Sequence, residues 1–216
     1  MVLQTSQAAK IAVILILKGD NNMNNIEKLI DDLHLETNLS GKDIPDIDLY
    51  MDQVIQLFEN KFAPTKRSAE EKILTKTMIN NYSKGKLFFP IKNKKYSREH
   101  MMLINMIYEM KTVLSIRDIK HTLEKLNLEI TNNDFSIEKL YDNYLEVSEF
   151  NAGNFKDNSK QIGNKVEEEI AKQEEVDIDY LEKLLLTLSF VNMSNYYRRA
   201  AEKMVDQIEG IELKRD

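Results

Sequence analysis

Leu74–Leu126 reads LTKTMINNYSKGKLFFPIKNKKYSREHMMLINMIYEMKTVLSIRDIKHTLEKL, and the rest of the chain is best understood outward from it. Its charge is opposite in sign to that of the whole. Eleven basic residues (Lys76, Lys84, Lys86, Lys92, Lys94, Lys95, Arg98, Lys111, Arg117, Lys120, Lys125) meet four acidic ones (Glu99, Glu109, Asp118, Glu124), a net of +7. The full chain carries −6, so everything outside this stretch carries −13. A basic module inside an acidic protein is the electrostatic footprint of a nucleic-acid reader. A lysine-rich surface that only keeps a helical domain soluble is the plainer reading of the same charge.

Periodicity within the stretch separates these readings. Thr75 is placed to N-cap a helix over 75–84, and Gly85 to stop it. Met78, Ile79 and Tyr82 share its inner face, which assigns Tyr82 to the core. Lys76, Asn80 and Lys84, at i, i+4 and i+8, form an outer row with Thr77 and Asn81 beside it. Asparagine pairs bidentately with adenine, and lysine reaches phosphate or guanine. Leu87-Phe88-Phe89, then Pro90, then Lys92-Asn93-Lys94-Lys95 suits a small β-wing with a basic tip. Ser97 caps a helix carrying Met101, Leu103, Ile104, Ile107 and Met110. Ser115 and Asp118 form a capping box for another, buried through Ile116, Ile119, Leu123 and Leu126. Lys92, Lys94, Lys95 and Arg98 are expected to hold phosphate rather than read bases.

Upstream, Ile26, Leu29, Ile30 and Leu33 mark an amphipathic helix within 24–35. Residues 38–45 read as a linker. A helix over 48–61 has an apolar stripe of Ile47, Tyr50, Met51, Val54, Leu57 and Phe58, and 63–72 read as an exposed loop. The apolar run Ile11–Leu17 is far too short to cross a bilayer and lacks a signal-peptide cleavage site. Lys18-Gly19-Asp20 is what a purine-rich ribosome-binding sequence encodes when translated. Translation is therefore expected to start at Met23, with residues 1–22 outside the fold; native mass beginning upstream of Met23 would contradict this.

Downstream, polar residues 127–134 read as a domain boundary. Helices are expected over 136–148 (Ile137, Leu140, Tyr141, Tyr144, Leu145) and 161–172 (Ile162, Val166, Ile170). Tyr180–Met193 is very apolar and continues through Tyr196, Tyr197, Ala200, Ala201, Met204, Val205 and Ile208. The residues leave three readings open there: a core helix or helix pair, a dimer interface, or a pocket lined by Met193, Tyr196 and Tyr197.

Composition excludes several classes. Gly 6 and Pro 3 in 216 residues favour long helices over an all-β design. With no cysteine, disulfides, thiolate metal sites and thiol redox chemistry are ruled out. His34, His100 and His121 have no ligand-like spacing, and His100 and His121 are expected on helix surfaces, so neither metal nor cofactor is expected. There is no glycine-rich phosphate loop and no nucleophile with a base at a telling distance. Glu167-Glu168-Glu169 and Glu174-Glu175 read as solvated helix faces. The chain is not expected to be an enzyme.

In its order of parts, Leu74–Leu126 is similar to the winged helix-turn-helix of the MerR-type bacterial regulators. The matching phrases are Met78-Ile-Asn-Asn-Tyr82, Gly85-Lys-Leu87, the Lys92–Lys95 wing, Tyr96-Ser97 and Leu114-Ser-Ile-Arg-Asp-Ile-Lys120. Asn80-Asn81 replaces that family's Arg-Tyr, Gly85 falls one position early, the wing is shorter and the 63–72 loop is longer. The metal-sensing cysteines are missing, so metal sensing does not carry over. More closely, Ile44–Gln53 together with Leu74–Tyr82 resembles a bacterial family known as domain of unknown function 1836. The resemblance spans Ile44–Leu126 and implies DNA binding through 75–84, a wing on the flanking backbone, and dimerisation.

The expectation is an all-α protein with a small β-wing. Residues 23–37 would form an N-terminal helix, 44–126 a MerR-like winged helix-turn-helix, and 134–210 a C-terminal helical region for dimerisation and effector reception. The chain would act in the cytoplasm, with no membrane association, as a transcription regulator of the repressor kind. It would bind a double-stranded DNA operator as a homodimer, through Lys76, Thr77, Asn80, Asn81, Lys84, Lys92, Lys94, Lys95 and Arg98. A small molecule or a protein would be its effector. The rival reading is a protein-interaction adaptor on a degenerate helix-turn-helix that no longer binds DNA.

Overall fold

A chain this poor in glycine and proline forms mostly helices, and the computed structural model is mostly helical with one two-stranded sheet. It describes residues 26–132, 135–172 and 177–208; the expectations about residues 1–22 and a start at Met23 lie outside them. The elements are α1 (26–32), β1 (Leu49–Tyr50), α2 (Met51–Phe62), a 3-10 turn (Ala63–Thr65), α3 (Lys76–Lys84), β2 (Lys95–Tyr96), α4 (Arg98–Met110), α5 (Ile116–Thr131), α6 (Ile137–Ile170) and α7 (Ile178–Val205). They divide into two compact units. One is built on Thr37–Ser148 with residues from Tyr197 on, the other on residues up to Glu36 with Glu149–Tyr196.

In the first unit α2 turns Val54, Phe58 and Phe62 inward at four-residue spacing. Phe58 lies 5.9 Å from Phe62 and 6.4 Å, edge-on, from Tyr108. Helix α4 buries His100, Met101, Met102, Leu103, Ile104, Asn105 and Ile107, more than one face, which is the signature of a central helix. Around it close Ile79 and Tyr82 from α3, Ile119 and Leu123 from α5, and Ile137 and Tyr141 from α6.

Several expectations need correction here. Residues 38–45 are not a linker: Leu39 and Ile44 are core residues. The Leu39 carbonyl accepts a 2.6 Å hydrogen bond from the Tyr141 hydroxyl, which itself accepts one of 2.9 Å from Asn105 Nδ2. This also overturns a boundary at 127–134. α5 continues to Thr131, and Ile137 and Tyr141 share the core of the preceding helices. Ile47 and Tyr50 do not join the inner stripe of α2; Ile47 is 66% exposed. The unforeseen strand β1 sets the chain direction before the helix starts. Ile116, also expected inside, is exposed.

In the second unit Ile26 packs on α6. A Cβ at Gly163 would stand 2.2 Å from Ile26 Cδ1, so a larger residue there would push the end of the Ile26 side chain aside. Glu27 pairs with Lys160 at 2.8 Å, and Lys156 with Glu36. The two helices expected over 136–148 and 161–172 are one, because the intervening residues include no proline and the lone Gly153 costs only about 1 kcal/mol. α7 is likewise a single helix. It does not form a core helix within the single chain: Tyr180, Leu188, Val191 and Tyr196 are all more than half exposed.

Candidate nucleic-acid interface

Helix α3 begins where Thr75 Oγ1 accepts the Met78 N–H at 3.2 Å. Ile79 and Tyr82 are buried beneath it, while Lys76, Thr77, Asn80, Asn81 and Lys84 are all exposed. The three-and-four spacing thus splits nine residues into an apolar back and a front of amides, a hydroxyl and ammonium groups. The Tyr82 hydroxyl is buried without a hydrogen-bond partner among the described residues, and burial pushes its pKa up to about 12. It is a neutral core group.

The helix stops at Gly85, as its position suggests, with Gly85 as the C-cap after Lys84. Gly85 keeps a helical φ of −71°, and Lys86 takes the left-handed position at φ 55°. Leu87 N–H then donates to the Tyr82 carbonyl and Lys86 N–H to the Ser83 carbonyl, both at 3.0 Å. This is a Schellman closure, with Leu87 fully buried after it. Asn127 of α5 donates through Nδ2 to the Leu87 carbonyl at 3.0 Å and so holds the exit of α3.

The basic tip is a two-residue turn. Lys95 N–H donates to the Lys92 carbonyl at 2.9 Å, with Asn93 and Lys94 at φ 52° and 59°. Two successive positive φ values define a type I′ turn, whose twist suits a hairpin. Lys92 and Lys94 are exposed and Lys95 is half-buried. β2 then pairs antiparallel with β1, Tyr96 opposite Leu49 and Lys95 opposite Tyr50. The Lys95 ammonium lies 5.1 Å from the centre of the Tyr50 ring, a cation–π contact. The hairpin is therefore fastened to the start of α2.

His100 anchors its base. The expected surface position is wrong, for the ring is buried among Phe88, Phe89 and Tyr96. Ser97 N–H donates to Nδ1 at 3.1 Å, which leaves Nε2 to carry the proton and donate to the Phe89 carbonyl at 3.0 Å. Burial holds its pKa below the ordinary value, so the ring is neutral at pH 7. A surface role for His121 also fails, since it is half-buried with Nε2 3.0 Å from the Ile208 carbonyl.

Two of the singled-out cations have partners already. Arg98 is half-buried; its Nη1 donates to the Ile44 carbonyl at 2.6 Å and to Asp46 at 3.2 Å, and its Nη2 to the Gly41 carbonyl at 2.6 Å. This fork ties the 41–46 segment to the start of α4. Beside it, hydrogen bonds from Ser40 and Lys61 outweigh the opposing pull of burial and hold the Asp43 carboxyl below its usual range. Lys76 meets Asp52 of α2 at 2.8 Å with both side chains well exposed, a pair worth under about 1 kcal/mol. Spacing alone gave no sign of Lys86, Asp52 or Asn127. Lys86 and Asp52 lie off the α3 row, and Asn127 directly follows Leu126, the last residue of the apolar stripe, at the start of the stretch that reads as a polar boundary. Among the described residues no group of three His, Asp or Glu could hold a metal ion, and no helix is long and apolar enough to cross a membrane.

A family model described as a domain of unknown function (DUF1836) matches residues 39–144. The match supports the resemblance carried by Ile44–Gln53 and Leu74–Tyr82, and it extends beyond both ends of Ile44–Leu126. It brackets the Leu39–Tyr141 hydrogen bond that closes the first unit's core. No curated protein and no solved structure matches the chain.

Proposed function

We propose that residues 39–144 are a winged helix-turn-helix that reads double-stranded DNA, and that the protein is a cytoplasmic transcription regulator. In this reading α2 lies along the backbone, α3 enters the major groove and the Lys92–Lys95 turn touches flanking phosphates. The observation that carries it is the face of α3. Lys76, Thr77, Asn80, Asn81 and Lys84 are all exposed on a helix held from behind by Ile79 and Tyr82. Asn80 and Asn81 are the base readers; Lys76, Lys84, Lys92, Lys94 and Lys95 supply charge; Arg98 acts by positioning the 41–46 segment. Repression by occupying an operator is the expected mode.

Operators of such readers have two-fold symmetry, and α7 offers a self-complementary face for a homodimer. Leu184–Tyr197 carries no charge; Asp179, Glu182 and Lys183 precede it, and Arg198, Arg199, Glu202 and Lys203 follow, with Lys183 paired to Asp179 and Arg198 to Glu202 along the helix itself. A second copy laid antiparallel sets this uncharged stretch against its own counterpart and leaves the charged ends outside the contact. The same exposed apolar residues favour the rival reading, an adaptor that engages a different protein. Selection from genomic DNA fragments, with the full chain and with a variant carrying Lys76→Ala, Asn80→Ala and Lys84→Ala, separates the two. One enriched motif that the variant loses supports the regulator. No binding at either low or high salt leaves the adaptor.

A further inference from the structure

The two turns that frame the hairpin share an oddity. A Schellman closure places its αL residue at C′, where glycine is strongly preferred, and the second centre of a type I′ turn also favours glycine, as in Asn-Gly. Here both positions are lysines, Lys86 at φ 55° and Lys94 at φ 59°. The left-handed conformation costs a residue with a Cβ about 1–2 kcal/mol. At the first turn glycine is even present one residue earlier, at Gly85, where φ of −71° makes no use of it. Among the described residues the other non-glycine positive φ values belong to His34 and Asn93, and asparagine tolerates that conformation. Two lysines thus occupy glycine positions, both exposed, at the exit of α3 and at the tip that follows it. Strain of this kind persists where the side chain has a use.

We infer that Lys86 is a phosphate-contacting residue of the α3–hairpin surface, acting with Lys94 to grip the nucleic-acid backbone on the side of α3 away from Lys76. The Schellman hydrogen bonds and the buried Leu87 fix the Lys86 backbone, so on binding only its side-chain torsions, not the backbone, have to be ordered. This assignment rests on the DNA reading proposed above.

The experiment measures affinity of the full chain for a mixed-sequence duplex of about 30 base pairs across about 50 to 200 mM salt, with thermal melting in parallel. Lys86→Gly is expected to raise Tm, because the backbone strain is relieved. It is also expected to weaken binding about five- to tenfold at 0.1 M salt and to lower the log–log salt slope by about 0.9. Lys86→Arg should keep the slope. A wild-type protein with steep salt dependence and a Lys86→Gly variant of unchanged slope would overturn this contact and leave the DNA reading standing. A wild-type protein with no salt-dependent binding would overturn both.

Discussion

Helices α3 and α7 make opposite use of apolar residues. α3 has nine residues and separates them cleanly, with Ile79 and Tyr82 buried and a polar front exposed. α7 has twenty-eight residues, is apolar around much of its circumference, and leaves Leu188 54% and Tyr197 70% exposed. A segregated pattern tells a helix which side to bury within its own chain. An unsegregated one needs cover on more sides than a single chain supplies. The difference teaches that apolar content marks a surface for burial without naming what buries it.

The sharpest way to break that contrast is to truncate one residue of each kind. Phe58→Ala, in the core against Phe62 and Tyr108, should cost about 3–5 kcal/mol, seen as a large fall in the urea midpoint. Leu188→Ser, on the exposed face of α7, should change monomer stability by under about 0.5 kcal/mol while weakening self-association in sedimentation velocity. An unaltered association state in Leu188→Ser would remove α7 as the homodimer face.

His100 gives a medium effect on the α3 side. Its folded pKa lies below the unfolded value of 6.5 because the ring is buried. Folding therefore favours the neutral form. That stabilisation is complete above about pH 6.5 and is lost as pH falls through it toward the folded value, at up to about 1.4 kcal/mol per pH unit. Denaturant midpoints between pH 7.5 and 5 should show this decline, and His100→Gln should flatten it. An equal decline in the variant would assign the slope to other groups.

The smallest expected effect tests the polar front. Asp52 pairs with Lys76 at 2.8 Å and places a carboxylate beside the proposed phosphate contacts. Asp52→Asn should tighten duplex binding about two- to fourfold at low salt, with little change near 1 M salt, where the Debye length is about 3 Å. Weaker binding would mean that the pair orients Lys76 productively.

What the sequence determined by itself was local. The Thr75 and Ser115 caps, the Ser115–Asp118 box and the two faces of α3 depend on neighbours three or four residues away, and each stands where its spacing put it. Five exposed residues of the candidate site were legible for that reason. Tertiary structure decided the rest. β1 finds β2 across forty-odd residues of chain, Tyr141 reaches Leu39, Arg98 folds back on Gly41 and Ile44, and His100 turns inward among rings supplied by the hairpin. None of these leaves a periodic trace, because hydrogen bonds and burial between distant segments are satisfied by geometry that no short window of sequence contains. The left-handed Lys86 lies between the two cases. Gly85 announced that the helix would stop, and only the hydrogen bonds of Lys86 and Leu87 to Ser83 and Tyr82 decided that Lys86, not Gly85, takes the left-handed conformation.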